Sequence, residues 1–206
     1  MEIVQLNANA KLSEHFTLGE FTKSGSHPEV YNIPSHEAIE NMKRLCIWLE
    51  ELRKRYNDKY VVVKGDSSTS CVLSVASDQR SSALGMTNGG GALGMTFSSL
   101  SSRPSEARGE ISEEPIRLNS GYRSPQLNRA IGGVSNSNHL TGCAVDIRVE
   151  NMEQLIRYAV ILLDISNESH QEFDELLIER NKHGAIWLHF AVRPKDNRRK
   201  VAFINA

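Results

Sequence analysis

Residues 135–147 read SNSNHLTGCAVDI and set His139 and Asp146 seven apart across a loop that leads into a strand. Imidazole and carboxylate are both good ligands for first-row metals. A catalytic zinc takes three protein ligands and keeps one position open, so this segment supplies two of the three. Gly142 and Ala144 between them are small, which suits a backbone passing close to a metal and a substrate chain. On spacing alone, the commoner reading of such a pair is a polar loop whose histidine is satisfied by hydrogen bonds.

The whole chain bounds what these residues can serve. Its 206 residues and 39% apolar content fit one globular domain with a buried core. The formal net charge of −1 gives no global field toward nucleic acid or a membrane surface, and neither is expected as a partner. The start, MEIVQLNANAKLSEHF, has no basic and apolar leader pattern, and no apolar run is long enough to span a bilayer. The expectation is a monomer made in the cytoplasm. Cys46, Cys71 and Cys143 are odd in number with no CxxC spacing, so buried reduced thiols are expected rather than a disulfide framework or a thiolate metal cluster.

The elements that must position the pair follow from periodicity. Ser35 is a candidate cap for a helix over 36–56, where Ile39, Met42, Leu45, Leu49 and Leu52 recur at helical spacing. A β-branched run at 60–63 precedes a Ser/Gly/Thr-rich stretch, about 65–114, in which ALGMT occurs twice; it reads as a low-complexity insertion. A strand is expected near 116–119. Ser124 and Pro125 then open a short helix that Gly132 and Gly133 end. AVDIRV alternates as a strand, Asn151 can cap a helix to about 163, and ELLIER and AIWLHFAV read as two strands joined by NKHG. The fold class is α+β, an antiparallel sheet flanked by helices.

At this point the residues resemble a known family, the zinc D-Ala-D-Ala carboxypeptidases and L-Ala-D-Glu endopeptidases, including vancomycin-resistance dipeptidases and phage endolysins. Ser137, His139, Gly142, Ala144 and Asp146 match every fixed place of its SxHxxGxAxD motif. LNSGYRSPQLNRAIGG resembles the segment before that motif, and LSEHFTLGEFTKS with YNIP resembles the opening of the phage and prophage-type branch. FDELLIE and WLHFAV resemble the closing strands. The resemblance implies a Hedgehog/DD-peptidase-like fold, a Zn2+ cofactor held by His139, Asp146 and His189, and a peptidoglycan stem peptide as substrate. It also implies that Arg123, Ser137 and Trp187 lie on the substrate side. Action on the wall would follow a phage-type release. The alternative it carries is a zinc-containing binding module, or a phage structural component, of the same fold.

Many members of that family place Glu or Asp three residues before the second metal histidine, where this chain has Ile186. The replacement base expected here is Glu179. If Lys182, His183 and Gly184 form a three-residue loop with Gly184 in the left-handed region, Asn181 pairs with Ala185 and Glu179 faces Trp187, on the side of His189. A two-residue turn would point Glu179 away. His183, at the hairpin tip, reads as solvent-exposed, and Asp174 and Glu175 read as a solvated strand end. RPKDNRRK, residues 193–200, reads as a solvated tail.

Overall fold

The computed structural model describes residues 7–61 and 113–205. The expected insertion therefore lies outside the described residues except for Glu113 and Glu114, as do Cys71 and the second half of the β-branched run at 60–63.

Helix α1, Leu18–Thr22, begins where the Glu20 carboxylate accepts the Thr17 backbone N–H at 2.7 Å. Helix α2, His36–Tyr60, starts at Ser35, whose hydroxyl accepts from the Ala38 N–H at 3.1 Å. It buries Met42, Leu45, Trp48, Leu49 and Leu52 on one face and runs a turn beyond the expected end. Its last turn is held by tertiary packing, with Tyr56 edge-on to Tyr158 at 4.8 Å and tilted against Tyr60 at 5.4 Å. Asn57 in that turn donates to the Glu114 carbonyl at 3.1 Å and accepts the Glu114 N–H at 2.7 Å. Two stretches of chain that flank the insertion are thereby stapled side by side.

Strand β1, Leu118–Ser120, leads into helix α3, Pro125–Ala130, with Ser124 as cap and Pro125 in the first turn. A 3-10 helix, Asn138–Thr141, precedes β2, Ala144–Arg148. Asn151 caps helix α4, Met152–Ser169, which outlasts the expected end near 163. Strands β3, Glu175–Arg180, and β4, Ile186–Ala191, form a hairpin, and β5, Lys200–Asn205, follows.

The five strands lie in the order β1-β2-β4-β3-β5, and the described residues form an α+β fold. All neighbours are antiparallel except β3 and β5, so the sheet is mixed rather than wholly antiparallel as expected. The reason is positional. Strand β4 ends beside the start of β3, with Ala191 opposite Glu175, so the chain need only loop around that end to enter β5 parallel to β3.

Val145, Ile147, Leu188, Phe190 and Leu176 join α2 and α4 in one core, with Trp48 tilted against Phe190 at 5.3 Å. Cys46 and Cys143 are buried free thiols. Among the described residues no helix is long and apolar enough to cross a membrane.

Candidate metal centre

Three elements deliver the candidate ligands. In β2 and β4, Asp146 stands directly opposite His189, and strand alternation turns both away from the core face that carries Val145, Ile147, Leu188 and Phe190. His139 comes from the 3-10 helix. Ser137 caps that helix by accepting the His139 N–H at 3.3 Å, and Gly142 ends it with φ +71. A Cβ on Gly142 would lie 2.5 Å from the Ala38 carbonyl oxygen of α2, so glycine is required by helix packing and backbone handedness. That replaces the expectation that its smallness makes room for a metal and substrate.

One nitrogen from each histidine and one Asp146 oxygen lie within 4.8 Å of one another, and all three residues are buried. His189 Nδ1 lies 2.9 Å from Asp146 Oδ1, His139 Nε2 lies 3.3 Å from the same oxygen, and the two ring nitrogens are 3.3 Å apart. Behind this cluster, His139 Nδ1 is 2.5 Å from the Gly121 carbonyl, which fixes the proton there and leaves the Nε2 lone pair facing the cluster. Burial alone would raise the Asp146 carboxyl. The His139 and His189 imidazoles outweigh it and hold the group well below the usual carboxylate range. Burial likewise works against a charged His189, yet Asp146 and then Glu175 push that imidazole up to about 9. Two imidazoles and a carboxylate converging with their outer atoms already engaged is a donor set that fits zinc.

Residues 100–177 match the family model described as Peptidase M15. The match supports a peptidase of the M15 zinc kind and spans Arg123, Ser137, His139 and Asp146. His189 and Glu179 lie beyond it, so the sheet register is what brings them to the matched residues. A comparison with curated proteins gives no match.

The hairpin has the three-residue loop: the Asn181 N–H donates to the Ala185 carbonyl at 3.0 Å and Gly184 has φ +87. Glu179 accordingly pairs with Trp187 and shares the face of His189 and Asp146. Burial raises its carboxyl above the ordinary glutamate value, against the pull of His189. Trp187 is half-buried, and its Nε1 is buried without an acceptor in hydrogen-bond geometry among the described residues. Arg123 reaches the cluster directly, donating from Nη2 to Asp146 Oδ2 at 2.5 Å and from Nε to Ser120 Oγ at 3.0 Å. Ser137 sits two residues before His139, half-buried, with its hydroxyl capping the local backbone. His183 is exposed at the hairpin tip.

Two expectations are overturned. Asp174 and Glu175 are not a solvated strand end: Asp174 is 0% exposed, and Glu175 Oε2 lies 3.6 Å from His189 Nε2. Nor is 193–200 a solvated tail. Arg198 donates to both oxygens of Asp174, at 2.8 and 2.7 Å, and Arg193 Nε lies 3.0 Å from Asp174 Oδ2. Charge-run reading treats each residue against water and misses partners supplied by a distant strand. A signal was present for Glu175, since the register that turns Glu179 toward His189 turns Glu175 the same way.

Proposed function

We propose that this chain is a zinc metallopeptidase that hydrolyses peptidoglycan stem peptide, either as a D-Ala-D-Ala carboxypeptidase or as an endolysin-like endopeptidase, in a Hedgehog/DD-peptidase-like fold. The observation that carries the reading is the convergence of His139, Asp146 and His189 donor atoms on the sheet face that also holds the half-buried Glu179. The Peptidase M15 match supports the reaction class. The wall substrate rests on the SxHxxGxAxD and SGYRS resemblances.

His139 Nε2, His189 Nδ1 and an Asp146 oxygen would hold the zinc. Bound there, zinc supplies Lewis acidity, which activates water and polarises the scissile carbonyl. The remaining work falls to side chains. Glu179 takes the proton of the attacking water on a carboxylate oxygen and gives it to the departing amine; its raised affinity for a proton suits both halves of that transfer. Arg123 is only 17% exposed at the edge of the cluster and offers the substrate a planar fork for a carboxylate or carbonyl oxygen. Trp187, opposite Glu179 in the hairpin, and Ser137, at the cap of the helix that carries His139, are the remaining residues that the resemblance puts on the substrate side.

The test is digestion of purified peptidoglycan by zinc-loaded protein, with product masses read out. Release of D-Ala or of cut stem peptides by the wild type, and background release by His139→Ala, is the expected result. A zinc-loaded wild type that releases nothing from any wall preparation would sink the reading.

A further inference from the structure

Segment 193–198 and the carboxylates of Asp174 and Glu175 remain outside the chemistry above, yet they are bonded into it. Asn138, the residue before His139, is 8% exposed and has its polar side-chain atoms engaged. Its Nδ2 donates to Asp174 Oδ2 at 2.7 Å and to Glu175 Oε2 at 2.9 Å, and its Oδ1 accepts from Arg193 Nε at 3.0 Å. Arg198 grips Asp174 with two N–H groups and also reaches Glu175 Oε1 at 2.9 Å. A carboxylate with no exposed surface is costly unless its lone pairs are filled, and here two arginines and an asparagine fill them. The product of that arrangement is a fixed Glu175, whose Oε2 lies 3.6 Å from His189 Nε2, at the outer range of an ion-pair contact.

We infer that Glu175 is a positioning residue for the metal ligand His189, held in place by Asn138 and by the Arg198–Asp174 pair, so that segment 193–198 is scaffolding for the metal centre. This rests on the metal-binding reading above. A negative oxygen behind Nε2 keeps the imidazole proton on that nitrogen and leaves the Nδ1 lone pair toward Asp146 and His139. The same carboxylate, through Asn138, ties the backbone carrying His139 to β3, so one group bears on both histidines.

The experiment measures zinc dissociation constants of the full chain by competition with a chromophoric chelator, and melting of the metal-free protein as a check on folding. Glu175→Ala is expected to weaken zinc about 10- to 100-fold, the usual cost of losing a partner behind a ligating histidine. Glu175→Gln should weaken zinc less than Glu175→Ala, because its amide oxygen can still face Nε2 although the negative charge is gone. Arg198→Ala, which removes a side chain 48% exposed, should weaken zinc to a lesser degree by releasing Glu175, and it carries the comparison if Glu175→Ala fails to fold. Zinc held as tightly by folded Glu175→Ala or Arg198→Ala as by wild type overturns the proposal alone. Equal weakening by Ala and Gln at 175 also overturns it. A wild type that takes up no zinc overturns both this proposal and the metallopeptidase reading.

Discussion

Along β2, β4 and β3 successive residues alternate between two faces of opposite chemistry. One face presents Val145, Ile147, Leu188, Phe190 and Leu176 to α2 and α4, each no more than 1% exposed. The other presents Asp146, His189, Glu175 and Glu179, buried or half-buried among charges. Neighbours in sequence thus serve opposite ends: Phe190 packs against Trp48 and Phe173, while His189 beside it reaches Asp146. The lesson is a division of labour by parity. Rigidity is generated on one side of a single layer of backbone and spent on the other, where charges are held against one another without room to relax. A substitution should therefore be felt as chemistry or as stability according to which way its side chain points.

The sharpest way to break that division is Glu179→Gln. On the proposed function it removes the proton carrier and little else, so kcat/KM on wall peptide should fall about 10²- to 10⁴-fold with zinc content and melting temperature near wild type. A large loss of stability would show that Glu179 belongs to the scaffold. On the opposite face, Phe190→Ala should cost about 3–5 kcal/mol in urea unfolding and leave zinc per folded molecule unchanged. Loss of zinc from a folded Phe190→Ala protein would mean that the two faces are not separable. The mildest effect is on pH. Because the His189 imidazole is raised from 6.5 to about 9 in the folded metal-free protein, its stabilising contribution is complete below 6.5 and is lost as pH rises through about 9. Metal-free melting temperature should decline across that window. Zinc-loaded protein should show no such decline, since the metal requires the neutral ring. A flat metal-free profile would place the stabilising pair elsewhere.

Local signals carried much of this architecture. Ser35, Ser124 and Asn151 cap the helices they were expected to cap, and Gly184 alone was enough to choose between two hairpin registers and hence the face of Glu179. Helix ends were less legible, since the last turn of α2 is held where Tyr56 packs on Tyr158, which is remote in sequence, and Tyr60 packs on Tyr56. Strand β5 was missed for the same kind of reason: parallel pairing with β3 leaves no turn signature between the partners. In the site, His139 and Asp146 stand in one compact motif, whereas the Arg198–Asp174 pair spans a loop and a strand, and composition alone reads both partners as solvated.

The Asn57 staple to Glu114 has a practical corollary for the stretch of chain between 62 and 112. Both points of departure are clamped to α2, with the Arg53–Glu113 ion pair at 2.8 Å alongside, so the domain itself bears the cost of bringing them together. Loop-closure entropy grows only with the logarithm of length, about 0.6 kcal/mol per doubling. The junction is in effect a socket: passengers of very different length could be plugged in there at similar thermodynamic cost, before the chain reaches His139, Asp146 and His189.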